Sequence, residues 1–372
     1  MEHEVLRKLR AEMRKDGYDA LVALSLDNAT YTAGFTVPSQ LSNRFRRVIT
    51  ILAGDKFAAQ ILVTVEENLA RERSRFKDIR AYNQFTQEPA DVLADALTEA
   101  GVGEGRIAIE LDFMPAKDYI RLVQCLPKAR FEECKDIYFR TRMIKTDEEV
   151  ATLRKIGQIT DRVIGEVLRE IRPGQTEKDV HRNVWNKMLA AGVDSLKCQV
   201  GSGIRSGITN CMPTTKAIEK GDVIRVEILG DMDSYRSNLT RTAVLGKPTD
   251  EQRKIWGVLI RARETCKAML RPGTPVADLY RTYVKVCREG GIEPTLKFLG
   301  HGIGQTIHEE PYITDTRAIV FEPNITFTME PLYMIPGRMG FHVEDMYVIT
   351  PTGYDKVSGD ITSNDQLIEI AP

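Results

Sequence analysis

The second half of the chain contains the same pattern twice. IRPGQTEKDV (171–180) resembles LRPGTPVADL (270–279), and each follows a long amphipathic stretch that begins with a capping box, at 146–149 and 249–252. In each copy a second helical stretch leads into strand-like segments. One copy alone would leave an apolar face uncovered, so the two copies should share a core. We therefore predict that residues 147–372 form a duplicated helix–helix–sheet unit.

The repeat sets four polar side chains at matching positions. The segment IEKGDVIRVE, which ends at Glu227, corresponds to FEPNITFTME, which ends at Glu330. Asn238 follows Glu227 by eleven residues, Glu344 follows Glu330 by fourteen, and each precedes a strand-like segment. Equivalent positions of two such halves should face each other across an internal pseudo-twofold axis. We therefore expect the four side chains to converge.

The first third of the chain follows a different pattern. Helical stretches such as 88–101 separate short apolar runs rich in Val and Ile, which lie at 19–26, 47–54, 58–65 and 106–111. This alternation is typical of α/β structure. Because the pattern changes near 134–147, we predict an α/β domain over residues 1–140 and an α+β domain over residues 141–372.

The bulk properties exclude several classes of partner. The net charge of -1 gives no electrostatic reason to expect nucleic acid or an anionic membrane surface. No apolar run reaches the roughly 18 residues of a membrane span, and the charged amphipathic N-terminus lacks the apolar region of a signal peptide. The six cysteines form no CxxC pair, which predicts reduced thiols in a cytoplasmic protein.

Three side chains in the second half could hold a metal ion. His301, in the sequence LGHGIGQ, together with Glu330 and Glu344 offers one imidazole and two carboxylates, a suitable first shell for Mn, Fe, Co or Zn. Each residue alone is as well explained as a solvated or hydrogen-bonded strand end. The combination favours a site, because unpaired carboxylates clustered in a core are costly.

The motifs of this half resemble a known family. LDNATYTAGF in the first domain and VGSG, GDVIRVE, SNLTRT, GHGIG, HEEP, MEP and VED in the second are similar to those of the M24 family, in its prolidase, aminopeptidase P and creatinase branch. The resemblance runs the length of the chain. It implies a creatinase/prolidase-like N-terminal domain, a "pita-bread" C-terminal domain and a homodimer that acts on a small-molecule substrate.

The resemblance also implies a ligand set. Metallopeptidases of this family hold two metal ions with two Asp, one His and two Glu, and the corresponding positions here are Glu227, Asn238, His301, Glu330 and Glu344. Only three of these are carboxylates, and a neutral amide is a poor bridge between two cations. We therefore expect either one divalent ion (Mn, Fe, Co or Zn) on His301, Glu330 and Glu344, helped by Asn238, or no metal.

Further positions depart from the family pattern. A family histidine is replaced by Asn210, and the arginine of the RIED motif by His342, whereas His308 of the HE-x-P motif is kept. We expect Glu330 or Glu227 to accept a proton and His308 to stabilise an oxyanion or to protonate the leaving nitrogen, with His301 or His342 as the other acid–base candidates.

Some residues are candidates for substrate binding. Besides Asn210 these are Tyr31, Phe35, Arg44 and Arg241, although any one of the first three is better explained as core or as a solvated charge. Arg225 should point to the same side of its strand as Glu227 and could keep that carboxylate ionised.

Three functions remain open. The first is a hydrolase of a small-molecule amide, amidine or related C–N bond, with one metal ion or none. The second is a metal-dependent Xaa-Pro dipeptidase or aminopeptidase. The third is a non-catalytic binding protein, which the intact His301 and His308 motifs disfavour.

Overall fold

The computed structural model describes residues 2–43, 45–362 and 364–371. The chain divides into two compact units, Met1–Arg142 and Met143–Pro372. This division lies two residues from the boundary predicted above.

The first unit is an α/β domain built on one six-stranded sheet. Its strands are β1 (Ala20–Ala23), β2 (Ile49–Ala53), β3 (Phe57–Val63), β4 (Asp78–Tyr82), β5 (Arg106–Ile109) and β6 (Arg130–Glu133). The spatial order is β4-β3-β2-β1-β5-β6. Its helices are α1 (Glu4–Lys15), α2 (Leu26–Ala33), α3 (Pro38–Ser42), α4 (Glu67–Arg73), α5 (Pro89–Glu99), α6 (Ala116–Cys125) and α7 (Lys135–Met143), and a 3₁₀ turn spans Thr64–Glu66.

The first half of the second unit begins with two helices. These are α8 (Asp147–Glu170) and α9 (Glu177–Ala190), followed by strands β7 (Ser195–Ser202), β8 (Val223–Met232), β9 (Tyr235–Arg236) and β10 (Leu239–Leu245). A 3₁₀ turn, Gly203–Gly207, follows β7. The predicted capping box of α8 is present: Thr146 accepts from the backbone N–H of Glu149, whose side chain accepts from the backbone N–H of Thr146.

The second half repeats this order. Helices α10 (Asp250–Lys267) and α11 (Val276–Glu289) precede the strands β11 (Gly300–Gly302), β12 (Glu309–Ile313), β13 (Thr326–Met329), β14 (Leu332–Ile335), β15 (Met339–His342), β16 (Asp345–Ile349), β17 (Tyr354–Lys356) and β18 (Ile368–Ile370). The capping box of α10 joins Thr249 and Gln252, as the sequence predicts. The helix–helix–sheet unit is therefore duplicated.

Two sheets meet where the candidate residues lie. One has the order β18-β10-β8-β7, with β9 paired to β8, and the other has the order β12-β11-β13-β16-β17. An isolated antiparallel bridge between Thr240 and Glu344 joins them. Buried side chains of α10 and α11 pack on the second sheet, and those of α8 and α9 pack on the first. No helix in the described ranges is long and apolar enough to cross a bilayer.

Candidate active site

Four candidate side chains lie in or directly beside neighbouring strands. Glu227 lies within β8, Asn238 directly precedes β10, Glu330 directly follows β13 and Glu344 directly precedes β16. All four are buried. The Nδ2 atom of Asn238 donates to Oε1 of Glu344 at 2.7 Å, so side chains from the two halves meet as the repeat predicts.

His301 lies in the middle of β11, between two glycines that its packing requires. A Cβ atom at Gly300 would overlap the carbonyl of Thr328, and one at Gly302 would overlap the carbonyl of Glu310. Only glycine permits so close an approach of the neighbouring strands. The imidazole is thereby held fully buried between them.

The hydrogen bonding of His301 fixes which nitrogen faces the site. Its Nδ1 lies 3.0 Å from the carbonyl oxygen of Gly302, so Nδ1 carries the proton and donates. The Nε2 lone pair then points toward Oε1 of Glu330, 3.3 Å away. Burial and the neighbouring ring of His308 lower the pKa of His301 to about 3, so the imidazole is neutral.

These atoms suit a metal ion. Neither Nε2 of His301 nor Oε1 of Glu330 has a hydrogen-bond partner in the described part of the chain, although both are buried. Two buried lone pairs facing each other need a cation between them or a proton. Ligand atoms of His301, Glu330 and Glu344 all lie within 4.8 Å of one another. One imidazole and two carboxylates fit Mn, Fe, Co or Zn.

Burial and mutual repulsion disfavour the ionised forms of the three carboxylates of the site. Burial raises the pKa of Glu330 well above its ordinary value, and the charge of Glu227 adds to this. Burial likewise raises the pKa of Glu344, reinforced by Glu330 and Glu227. The pKa of Glu227 is raised by burial, against an opposing effect of Arg225. Three buried carboxylates therefore require protons or cations to be stable.

Asn238 orients the carboxylate of Glu344 through a hydrogen bond. Both oxygens of Glu344 accept hydrogen bonds, Oε1 from Asn238 at 2.7 Å and Oε2 from the Thr240 hydroxyl at 2.9 Å. Oδ1 of Asn238 is buried and has no partner among the described residues. This oxygen is the atom through which Asn238 could contact a cation, as predicted above.

His342 faces the same carboxylates from the other side. Its Nε2 lies 3.3 Å from Oε2 of Glu330 and 3.9 Å from Oε2 of Glu344. Burial, together with the charge of Arg225 and the ring of His301, lowers the pKa of His342 well below its ordinary value. His342 is therefore a neutral imidazole within reach of both carboxylates.

His308 and Asn210 lie at the solvent-accessible edge. The ring of His308 stacks on that of His301, and partial burial lowers its pKa. Asn210 is exposed and its Oδ1 accepts a 3.4 Å hydrogen bond from Gln199, whose cross-strand partner is Glu227. Both side chains can therefore meet a molecule that enters from solvent.

Two predictions about arginines need correction. Arg241 is fully buried and donates to Asp161 and Asp345 at 2.8 Å each and to the Glu344 carbonyl at 2.8 Å. Because its donors serve the fold, it is a structural residue and not a substrate-binding one. Arg225 makes no ion pair with Glu227, because its guanidinium donates to two backbone carbonyls. Its charge nevertheless acts on Glu227 in the expected direction, since it lowers the pKa of that carboxyl against the larger opposing effect of burial.

The candidates in the first unit lie in its core. Tyr31 and Phe35 are 1% and 7% exposed, and both belong to the apolar cluster that packs around α1 and α2. Their burial favours the structural interpretation, and a role in substrate binding stays a prediction. Arg44 lies outside the described residues.

Sequence reasoning missed one ion pair next to the site. Lys145, just before α8, pairs with Glu309, which follows His308, and both side chains are buried. The two residues are 164 positions apart, so no local pattern connects them. The available sequence signal is that Lys145 directly precedes the capping box at 146–149 and that Glu309 belongs to the HEEP motif.

Two family models match the chain. Metallopeptidase family M24 matches residues 151–351, and the creatinase/prolidase N-terminal domain matches residues 6–144.

Curated relatives and solved structures match over most of the chain. A probable dipeptidase, PepE, from Mycobacterium bovis is 31% identical over 69% of this chain and 69% of its own length. An Xaa-Pro dipeptidase from Pyrococcus horikoshii is 25% identical over 96% of this chain and 97% of its own. The crystal structure of dipeptidase PepE from Mycobacterium ulcerans superposes with a TM-score of 0.86, at 25% identity, over 99% of this chain and 97% of that one.

These matches establish the family of the chain and bear on which of the three expected functions fits best. The names of the relatives agree better with the second expected function, a metal-dependent Xaa-Pro peptidase, than with the first, a hydrolase of small-molecule amides or amidines. The expected hydrolase of C–N bonds and the two-domain fold are confirmed. The chain belongs to metallopeptidase family M24, with a creatinase/prolidase N-terminal domain followed by a pita-bread domain.

Proposed function

We propose that this protein is a metal-dependent dipeptidase that hydrolyses the amide bond of a short, Xaa-Pro-like substrate with a single divalent ion. The observation that carries the proposal is the inward-facing pair of Nε2 of His301 and Oε1 of Glu330, 3.3 Å apart and buried without hydrogen bonds. Glu344, held by Asn238 and Thr240, completes the ligand group.

The side chains around this group suit amide hydrolysis. When bound, a divalent ion supplies Lewis acidity next to the scissile carbonyl. Glu227 or Glu330 accepts the proton of the attacking water as the C–O bond forms, and returns it to the nitrogen as the C–N bond breaks. His308, neutral and at the accessible edge, donates a hydrogen bond to the developing oxyanion. Asn210 is placed to contact the substrate from the same edge.

The names of the relatives support the substrate class. Two of the curated proteins that match most of this chain are described as a probable dipeptidase and an Xaa-Pro dipeptidase. We infer a homodimer from the family resemblance of the two-domain layout, and a reducing cytoplasmic location from the six cysteines, which are all free thiols.

A metal analysis combined with a substrate panel tests this proposal. Purified protein should contain about one equivalent of transition metal and should cleave Xaa-Pro dipeptides such as Ala-Pro when Mn²⁺ is present. Chelation should abolish the cleavage, and Mn²⁺ should restore it. Equal activity before and after chelation would refute the metal-dependent mechanism.

The altered ligand positions favour a second candidate, a hydrolase of a non-peptide amide or amidine. Glu227 and Asn238 stand where the resemblance implies two aspartates, and Asn238 uses its amide nitrogen on Glu344. These two changes disfavour the two-metal centre that the resemblance implies for peptidases, and with it the usual peptidase chemistry. Inclusion of small amides and amidines in the same panel separates the two: turnover of these alone, with no dipeptide cleaved, would replace the first candidate by the second.

A further inference from the structure

Arg225 is a buried cation without a carboxylate at contact distance. Its side chain is 2% exposed. Its Nη2 donates to the backbone carbonyls of Ile208 and Thr209, and its Nη1 lies 3.7 Å from Sδ of Met334. No ion pair of Arg225 within 4.0 Å is found in the described ranges. A guanidinium stays charged at any pH a protein tolerates, so burial leaves a full positive charge to be balanced.

The balancing charges are the carboxylates of the candidate site. Arg225 precedes Glu227 by two residues in β8, so both side chains leave the same face of the strand. Arg225 also pairs across the strands with Thr242, whose hydroxyl bonds the backbone of His342. The guanidinium is thus part of the wall of the site.

We propose that Arg225 supplies the fixed positive charge that a second divalent ion would otherwise supply, and so limits the site to one metal ion. Three carboxylates, one guanidinium and one dication add up to a net charge of zero. A second dication would leave the site at plus two in a buried environment, where uncompensated charge is strongly unfavourable. The hydrogen bonds to Ile208 and Thr209 hold the guanidinium in place, so it cannot withdraw to admit a metal ion.

Asn238 and Arg225 act in the same direction. Asn238 lacks the negative charge of an aspartate, and Arg225 adds a positive one. In Asn238→Asp alone, four carboxylates, one guanidinium and two dications would still give the site a net charge of plus one. Removal of both features would give four carboxylates and two dications, which balance. The altered ligand positions are therefore one determinant of the loss of the second metal ion, and Arg225 is the additional one.

The inference rests on the proposed metal site but not on the proposed substrate. Mn²⁺ titration of metal-free full-length protein by calorimetry, with elemental analysis of the dialysed product, gives the stoichiometry directly. We expect one equivalent for the native protein and for Asn238→Asp, and two for Arg225→Gln/Asn238→Asp. Glutamine keeps hydrogen-bond donors toward the Ile208 and Thr209 carbonyls. The matched control, Arg225→Lys/Asn238→Asp, keeps the charge and should bind one.

Two results would overturn the proposal. Two equivalents in Asn238→Asp alone would show that Arg225 does not exclude the second ion, and this variant decides the question even if the Gln double variant fails to fold. One equivalent in a Gln double variant that melts cooperatively would show the same. No metal in the native protein would instead refute the metal site of the proposed function, and the two failures are therefore distinguishable.

Discussion

The imidazole ring of His308 stacks on that of His301, with ring centroids 3.7 Å apart and an angle of 18° between the planes. His301 is buried and its Nε2 faces Glu330, whereas His308 lies at the accessible edge. In the proposed function, the inner ring binds the metal ion and the outer ring reaches the substrate.

Replacement of His308 should therefore affect turnover and not metal content. We expect His308→Ala to lower kcat on an Xaa-Pro dipeptide by about 10²–10⁴-fold, the usual contribution of one positioned acid–base or hydrogen-bonding group. Steady-state kinetics and elemental analysis of the same sample measure both quantities. His181→Ala, a histidine that contacts Trp185 on α9, is the matched control. An unchanged kcat in His308→Ala would remove His308 from the mechanism.

Breaking the buried pair of Lys145 and Glu309 should destabilise the protein strongly. Their side chains are 1% and 5% exposed, so either one left alone is an uncompensated buried charge. Lys145→Met should lower the free energy of unfolding by about 3–5 kcal/mol. Lys145→Met/Glu309→Leu should recover much of this loss, because no charge remains unpaired. Urea denaturation of both single variants and the double variant tests this coupling. If the double variant loses the sum of the two single losses in free energy of unfolding, the pair is not coupled.

Glu177 at the start of α9 should make folding sensitive to acid. Burial raises its pKa, but hydrogen bonds from Thr214, Ser202 and Arg205 outweigh burial, and the net pKa lies below the ordinary value of 4.5. A depressed folded-state pKa contributes stability that is present above the ordinary value and is lost as pH falls through the folded-state value.

Glu177→Gln should reveal this contribution. At pH 7 the substitution should lower the free energy of unfolding by about 1.5–3 kcal/mol, the range for hydrogen bonds to a charged group. The difference between native protein and variant should shrink below about pH 4.5. Denaturant titrations at pH 7, 5 and 4 measure it. A difference that does not change with pH would mean that packing, and not charge, is what the substitution removes.

Metal binding should raise the melting temperature through the His301 group. A ligand at a hundredfold excess over its Kd stabilises the native state by about 2.7 kcal/mol, which corresponds to a rise in Tm of about 5–10 °C for the second unit. Mn²⁺ should produce this rise in chelator-treated native protein and not in His301→Ala. An equal rise in both proteins would place the binding elsewhere in the molecule.

Much of the fold follows from local sequence signals. Each of the capping boxes at Thr146 and Thr249 consists of four consecutive residues, and α8 and α10 begin where these residues predict. The contact between Asn238 and Glu344 could be predicted from the repeat, since a duplication relates distant positions without any alignment of other proteins.

The wrong predictions about the arginines, and the missed ion pair, also have a physical cause. Strand parity tells which face a side chain occupies but not what lies opposite, so it could not show that Arg241 meets Asp161 and Asp345. It gave the side of Arg225 correctly, but not that the guanidinium bonds to a loop. The pair of Lys145 and Glu309 depends wholly on tertiary structure.

The bridge between Thr240 and Glu344 joins two halves that contribute unequally. The C-terminal half supplies an imidazole and two carboxylates, and the N-terminal half supplies Glu227, an amide and a guanidinium. In the proposed site the two halves therefore have different roles: the C-terminal half supplies the ligands of the ion, and the N-terminal half sets the electrostatic potential around it. Substitutions in the N-terminal half could therefore tune the Lewis acidity of the bound ion while every ligand in the C-terminal half stays unchanged.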